Sequence, residues 1–570
     1  MKIALLGGGP SSLFMYKRLT ESNIKNLEIV IFEKKSQLGA GMPYSADGAN
    51  KEHITNVSAN EIPEIVTSIA EWIQTVPEEI LKTYSIDKSK FNEYKVLPRL
   101  LFGKYLEAQY KLLKQNAAKI GIKTVLHLNS PVSDISDKPS ARKVLVKTAT
   151  EHDEFDHIVI CTGHSWPTKY EGKVPGYFDS PYPPAKLAMR LNHAVAVRGS
   201  SLTAIDAIRT LARNNGTFSW NDSDQLSYQL SGESPDFRIV MHSRNGLLPA
   251  VRFHLEDSHL SNDSLLTPEE IAAHMDRNDG FLSLDYIFKE DYKALLADRD
   301  PELYEHIKDM RIEEFVPYMM ELRERLEPFT LLKAEYAEAK KSIRRHESVY
   351  WKELLATLSF AMNYPAKHFS AEDMLRLQKV LMPLISIVIA FVPQSSCEEL
   401  MALHDAGILD LVAVGDASTV TAEKNGGATV KFETETGEEQ SVFYQTFVDS
   451  IGQPHLSYED FPFRGLIEDQ TVVPAKIRFR DPENGLREKS AGNDKVEPDS
   501  NGGFYLKVPG ISINDQFQVT DGYGAYNPRI SIMAVPYIGG FNPDYSGLDF
   551  CEAASASIIE AIARELVFLD

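Results

Sequence analysis

Close to the start of this 570-residue chain stands the segment Gly7-Gly8-Gly9-Pro10-Ser11-Ser12. Glycines at this spacing suit one kind of chemistry, the gripping of a pyrophosphate by backbone. Gly7 permits a tight turn. Gly9 lets the main chain approach phosphate oxygens with no Cβ in the way. A helix opening at Pro10 would aim its first N–H groups and its positive dipole end at the same oxygens. Ser12 replaces the third glycine of the pattern and is still small enough for close helix–strand packing. Glu33 can accept hydrogen bonds from ribose hydroxyls. A carboxylate there repels a 2′-phosphate, so the loop suits FAD or NAD rather than NADP.

These residues need a strand before them and another beside them. Residues 2–6 are a short apolar run, as a buried parallel strand is. Residues 12–20 carry Leu13, Tyr16 and Leu19 on one helical side. Residues 27–32 are a second apolar strand ending at Glu33. The same order returns later. A strand over 193–198 enters Gly199-Ser200-Ser201-Leu202-Thr203-Ala204, and Ala207, Ile208 and Leu211 continue as a helix. Here Ser201 puts a side chain where the second glycine belongs. The next strand, 237–242, runs into Ser243-Arg244, and a basic residue there can grip a 2′-phosphate. Gly199, Ser200, Ser201, Thr203 and Arg244 are therefore the candidate NADPH site. Arg244 could equally cap a turn or pair with an acid. The polar stretch 214–235 reads as a loop insertion.

The bulk composition narrows the class. A chain this long needs two or three domains. The formal net charge of -21 disfavours nucleic acid and anionic lipid as partners. The basic run at 340–345 lies among acids and reads as a solvated helix face. Cys161, Cys397 and Cys551 are far apart, which argues against a disulfide framework, a zinc site and a dithiol enzyme and fits a cytoplasmic setting. His306 and His346 have no second ligand at metal spacing, so no metal is expected. The longest apolar run, 381–392, is too short to span a membrane and reads as a buried helix or pocket wall.

Residues 1–45, His53-Ile54-Thr55-Asn56-Val57 and Pro98-Arg99-Leu100-Leu101-Phe102-Gly103-Lys104-Tyr105-Leu106 resemble the bacterial FAD/NAD(P)-binding flavoprotein family. That family is related to two-dinucleotide-domain flavoproteins such as N-hydroxylating monooxygenases. The resemblance implies that Gly39, Gly41, Asn56 and Arg99 face FAD. For His53, Asn56 and Arg99 the alternative is loop capping or an ion pair. The strand running into Thr162-Gly163 resembles the strand by which such chains leave the FAD domain. Cys161 there reads as a core thiol. The Gly199 loop and the Ser243-Arg244-Asn245-Gly246-Leu247-Leu248-Pro249 segment resemble the family's NAD(P) segments. The loop over 537–547 and the helix from Leu548 resemble the closing elements of the FAD site, which implicates Gly547 and Asp549. A plain C-terminal helix docked on the sheet is the other reading.

The expected fold is α/β, with two Rossmann-like dinucleotide-binding domains and a largely helical insertion. The expected division is 1–185 and 446–570 for the FAD domain, 186–260 and 407–445 for the NAD(P)-like domain, and 261–406 for the insertion. Thr267-Pro268-Glu269-Glu270 starts the helical part, and amphipathic patterns continue over 304–326 and 331–358. The insertion either caps the active site or packs the domains. FAD and NADPH are the expected cofactors, and an NADPH-dependent monooxygenase of a small molecule is the expected function. No side chain is singled out as catalytic, because a flavin can carry such chemistry itself. The alternatives are a flavin oxidase or dehydrogenase with a vestigial second domain, and a non-enzymatic flavin-binding sensor or assembly protein.

Overall fold

The computed structural model describes all residues except 223, 256–264, 364, 435, 544–546 and 568–570. In chain order, the first dinucleotide-type unit has strand β1 (Lys2–Leu6), helix α1 (Pro10–Glu21), strand β2 (Glu28–Phe32), helix α2 (Arg99–Lys119), and strands β3 (Lys123–His127) and β4 (His157–Ile160). The second unit has β5 (Tyr177–Phe178), β6 (Ala194–Arg198), α3 (Leu202–Asn215), β7 (Arg238–Ser243), β8 (Leu409–Ala413) and β9 (Thr446–Asp449). The chain then returns with β10 (Gln518–Thr520), β11 (Tyr526–Ile532) and α4 (Leu548–Val567).

The first sheet has the order β10-β11-β4-β1-β2-β3, parallel except for β10. Its strands are apolar throughout because helices cover both faces: Ile3 to Leu6 and Ile29 to Phe32 are all buried. The strand order reverses beside β1, and ligands of open parallel sheets bind outside the carboxyl ends at such a point. The second sheet repeats the plan as β5-β9-β6-β7-β8, wholly parallel. Each unit also carries a three-stranded antiparallel sheet before its return strand, over 132–155 and 419–444. The first sheet is completed by β11, from the far end of the chain.

The crossover from β7 to β8 holds the helical block, from Pro268–Asp276 to Gln394–Asp405. Its first helix has a full capping box between Thr267 and Glu270, with Pro268 at the first position. The 381–392 run yields the helix Met382–Val388, with Leu384, Ile385 and Val388 buried. Residues of this block share one continuous core with the first sheet. Among the described residues, no helix is long and apolar enough to cross a membrane. The expected 260/261 boundary lies outside the described residues.

One local expectation is sharpened and another is corrected. The amphipathic pattern over 331–358 is carried by two helices: Pro328–Arg345 ends at His346, whose φ of 54° is left-handed, and Tyr350–Met362 starts anew. A residue in that conformation terminates a helix whatever the surrounding periodicity. The polar stretch 214–235 is not a bare loop. It folds as a hairpin of Gly216–Trp220 and Leu226–Leu230. Phe218 and Tyr228 meet across it at 4.9 Å, and the Tyr228 hydroxyl donates to the Ala212 carbonyl of α3. One aromatic pair and one anchored phenol suffice to hold a polar hairpin to its helix.

Candidate functional site

The turn from β1 into α1 is built around Gly7. Its φ is +117°, and a Cβ there would stand 2.5 Å from the Cys161 carbonyl oxygen at the end of β4. Only glycine tolerates that conformation and that contact. The Gly7 N–H donates to the Phe32 carbonyl at 2.8 Å, which docks the turn on β2. Gly9 caps α1, and a Cβ on it would lie 3.4 Å from the Gly41 Cα. A Cβ on Gly41, whose φ is +60°, would come 2.9 Å from the Pro10 Cδ. Two loops thus meet backbone to backbone. Glu33 is tied to the same turn: its Oε2 accepts the Gly8 N–H at 2.7 Å and its Oε1 the Lys35 N–H at 2.8 Å.

Over this turn lies a cavity of about 690 Å³. One end is walled by the glycine turn, Glu33 and Gly41. The middle is walled by Thr162 and Gly163, and by Gly547, Leu548 and Cys551 at the start of α4. The other end reaches His164 and Trp166 on the linker, and Tyr182 inside the second unit between β5 and β6.

The comparisons with known proteins bear on this cavity. Residues 4–165 match a family model described as FAD-NAD(P)-binding. Residues 4–165 form an FAD/NAD(P)-binding domain. Residues 267–389 match a model described as a YdhS-like middle domain. Over 573 aligned residues the chain is 28% identical to YdhS of Escherichia coli (strain K12), itself described as uncharacterized, covering 99% of this chain and 97% of that one. Among solved structures it is similar to the ornithine N-hydroxylase KtzI of Kutzneria sp. 744, at 14% identity and a TM-score of 0.44, covering 99% of both chains. It is also similar to the cadaverine monooxygenase DfoA of Erwinia amylovora, at 12% identity and a TM-score of 0.45, covering 98% of this chain and 94% of that one. A third is the bacillithiol disulfide reductase Bdr of Staphylococcus aureus, at 10% identity and a TM-score of 0.42, covering 99% and 98%.

The cradle of the FAD/NAD(P)-binding domain fits a dinucleotide. Its floor is backbone that a Cβ on Gly9 would cover, and the first N–H groups of α1 lie beside it. Two buried polar atoms of wall residues, Thr162 Oγ1 and His164 Nδ1, have no hydrogen-bond partner among the described residues. Buried polar atoms are rarely left so unless a ligand or water completes them. Burial holds the His164 imidazole below its ordinary value, against a hydrogen bond to Gln453 that works the other way. Burial pushes the Cys551 thiol up to about 12, and raises Cys161 further still. Both cysteines are therefore thiols, not thiolate nucleophiles.

Of the residues singled out in the sequence, Gly7, Gly9, Pro10, Ser11, Glu33 and Gly41 line the cavity. Thr162, Gly163 and Gly547 line it too. Ser12 does not, being fully buried beneath the turn. Asp549 sits in the first turn of α4, where a carboxylate favours the helix dipole. Asn56 and Arg99 lie elsewhere, at the contact with the second unit. The Asn56 carbonyl accepts from the Arg252 guanidinium, and Arg99 pairs with Asp206 of α3 at 2.5 Å. The cavity walls at Lys35, Trp166, Tyr182, Lys186 and Phe463 carry no local motif, and only the fold brings them together.

The second loop is a copy of the first. Gly199 has φ +113°, its N–H donates to the His242 carbonyl at 2.8 Å, and a Cβ on it would stand 2.7 Å from the Ser450 carbonyl oxygen. Ser200 Oγ donates to the Leu247 carbonyl at 2.7 Å. Ser201 caps α3 in an extended conformation, is exposed, and makes no side-chain cap bond. Thr203 lies in the first turn of α3, partly buried. Arg244 follows β7 with its side chain 74% exposed, 3.8 Å from an equally open Asp416. Ser243 Oγ and Ser450 Oγ, at the carboxyl ends of β7 and β9, are buried with no partner among the described residues. No group of three or more His, Cys, Asp or Glu among the described residues could hold a metal ion.

Proposed function

We propose that this protein is an FAD-dependent oxidoreductase in which NADPH bound at the second unit supplies the electrons and a small molecule is oxygenated. One observation carries the reading. A single cavity runs from the Gly7–Ser11 cradle to Tyr182, which lies in the second unit between β5 and β6, the strand that enters the second glycine loop. FAD, when bound, supplies the redox chemistry.

The chain's own residues have four tasks. The N–H groups of the glycine turn and of α1 hold the pyrophosphate, and Glu33 takes ribose hydroxyls. The start of α4 presents its positive dipole end to the cavity at Leu548 and Cys551, where developing negative charge is stabilised. Trp166, Tyr182 and Phe463 wall off water. Ser201 and Thr203 offer hydroxyls to a second pyrophosphate, and Arg244, in an open surface pair with Asp416, offers a cation for a 2′-phosphate.

Purified protein mixed anaerobically with NADPH should lose its yellow absorbance. Persistent colour with both NADPH and NADH would refute this reading. A substrate-dependent product that appears only with oxygen would establish the monooxygenase. A second reading, an oxidase or dehydrogenase taking hydride directly from its substrate, is favoured by one observation, the side chain of Ser201 in the position of a glycine.

A further inference from the structure

Two stretches of chain cross between the units, one through residues 161–176 and one through residues 450–456. They are tied to each other. Gln453 Oε1 accepts the Ser165 N–H at 2.8 Å, Gln453 Nε2 donates to the Ser165 carbonyl at 2.7 Å, and the Trp166 indole donates to the Gly452 carbonyl at 3.2 Å. Linkers alone would let the second unit turn as on a hinge.

A buried polar seam opposes that motion. Arg99 opens α2 of the first unit. Its Nε–H donates to the Ile54 carbonyl at 3.0 Å, and its Nη1 donates to Asp206 Oδ2 at 2.5 Å. The Tyr182 hydroxyl donates to that same oxygen at 2.8 Å. His53 Nδ1 accepts the Asn50 N–H at 3.1 Å, so its Nε2 carries the proton and donates to the Asp206 carbonyl at 3.1 Å. Thr210 Oγ1 donates to Glu52 at 2.7 Å. Further along, Arg252 pairs with Glu61 and donates to Ser58 Oγ at 2.8 Å. Asp206 is 5% exposed and His53 fully buried. Removing one member would strand another polar or charged group out of water.

Asp206 is thus shared by Arg99 and His53 of the first unit and by Tyr182 of its own unit. It also sits one turn into α3, the helix that the second glycine loop opens. Tyr182 is the member of the set that lines the cofactor cavity. We propose that Asp206 locks the two dinucleotide units in one orientation, and that Tyr182 is a positioning residue carrying the lock into the cavity wall. The meaning of the cavity rests on the oxidoreductase reading, while the lock is a property of the chain.

Amide hydrogen exchange on the purified full-length protein tests it, with Asp206→Asn and Tyr182→Phe. In Asp206→Asn, exchange should quicken at least about tenfold over residues 50–61 and 202–215, with the two sheets protected as before. Tyr182→Phe should give a smaller change of the same pattern, and the double variant no more than Asp206→Asn. Unchanged exchange in a folded Asp206→Asn overturns the lock. So does a uniform gain across both sheets, which is general destabilisation. If Asp206→Asn does not fold, Tyr182→Phe and Arg99→Lys decide, and wild-type exchange in both overturns the lock. Anaerobic bleaching separates the two ideas. A wild type that NADPH does not bleach sinks the oxidoreductase reading, and exchange still decides the lock. In a wild type that does bleach, Tyr182→Phe should slow the limiting rate about tenfold with nucleotide affinity unchanged. A wild-type rate removes Tyr182 from its positioning role.

Discussion

Replacing Gly9 by alanine should separate cofactor binding from folding. Gly9 has φ -83° and ψ -165°, an extended conformation open to any residue. A methyl group there would meet the Gly41 Cα at 3.4 Å, ordinary van der Waals contact. The folded chain should keep its stability to within about 1 kcal/mol, since the alanine also narrows the unfolded ensemble. On the proposed placement of the pyrophosphate the cradle has no such tolerance, because the new methyl would stand between it and the backbone N–H groups. Losing two charge-assisted hydrogen bonds at about 1.5 kcal/mol each gives about 3 kcal/mol, or about a hundredfold in Kd. The assay has two arms. Urea unfolding measures stability, and FAD titration of stripped protein, followed by flavin fluorescence, measures affinity. Gly9→Ala protein that binds FAD as tightly as wild type refutes the placement of the pyrophosphate. A variant that loses FAD only because it unfolds refutes the claim that Gly9 serves the ligand and not the fold.

Gly7→Ala should behave oppositely, because its methyl meets the Cys161 carbonyl at φ +117°. A loss of about 2–4 kcal/mol in urea unfolding, with or without FAD, is expected. Arg244→Ala should weaken NADPH about tenfold and leave NADH unchanged in anaerobic titrations; equal effects on both would remove Arg244 from the 2′-phosphate site. Ser201→Gly should tighten NADPH severalfold by clearing the approach to the second turn, and no change would favour the direct dehydrogenase. Acid should destabilise the fold through His157, which is buried with Nδ1 donating to the Pro528 carbonyl and Nε2 accepting from Ser531. Burial lowers its pKa to about 4. Its unfolded value is about 6.5. Between those values only the unfolded chain binds the proton. The contribution is therefore complete above about pH 6.5, falls as pH drops towards 4, and totals at most about 3 kcal/mol. Urea midpoints across that range, with His157→Gln as the flattened control, measure it.

The cradle was legible because its cause is local. Gly7, Gly9 and Glu33 lie within one strand–turn–helix–strand unit, whose order of apolar runs, glycines and acid is written in a single short stretch of sequence. The helix start at Thr267 was legible for the same reason. Arg99 and Asn56 were harder to place, because their partners, Asp206 and Arg252, are remote in sequence and join them only through tertiary contact. The far wall of the cavity was invisible for that reason too: Trp166, Tyr182 and Phe463 share no spacing. The break at His346 was missed because amphipathic periodicity continues through a residue whose left-handed φ stops the helix. The 216–230 hairpin was missed because its few apolar anchors, Phe218, Leu226, Tyr228 and Leu230, are a small signal within a polar run.

The completion of the first sheet by β11 has a consequence for biosynthesis. As the chain leaves the ribosome, β1 to β4 can pair early, but the outer edge of β4 stays open until residues 526–532 emerge. The second sheet, complete at β9, can close first. The unit begun first is thus finished last, and an open strand edge persists through the translation of most of the protein. The start of α4 arrives later still, so the cavity gains that wall only when nearly the whole chain has been made. The last strand of the first sheet and the last wall of the cavity thus come from the same late-made stretch of chain.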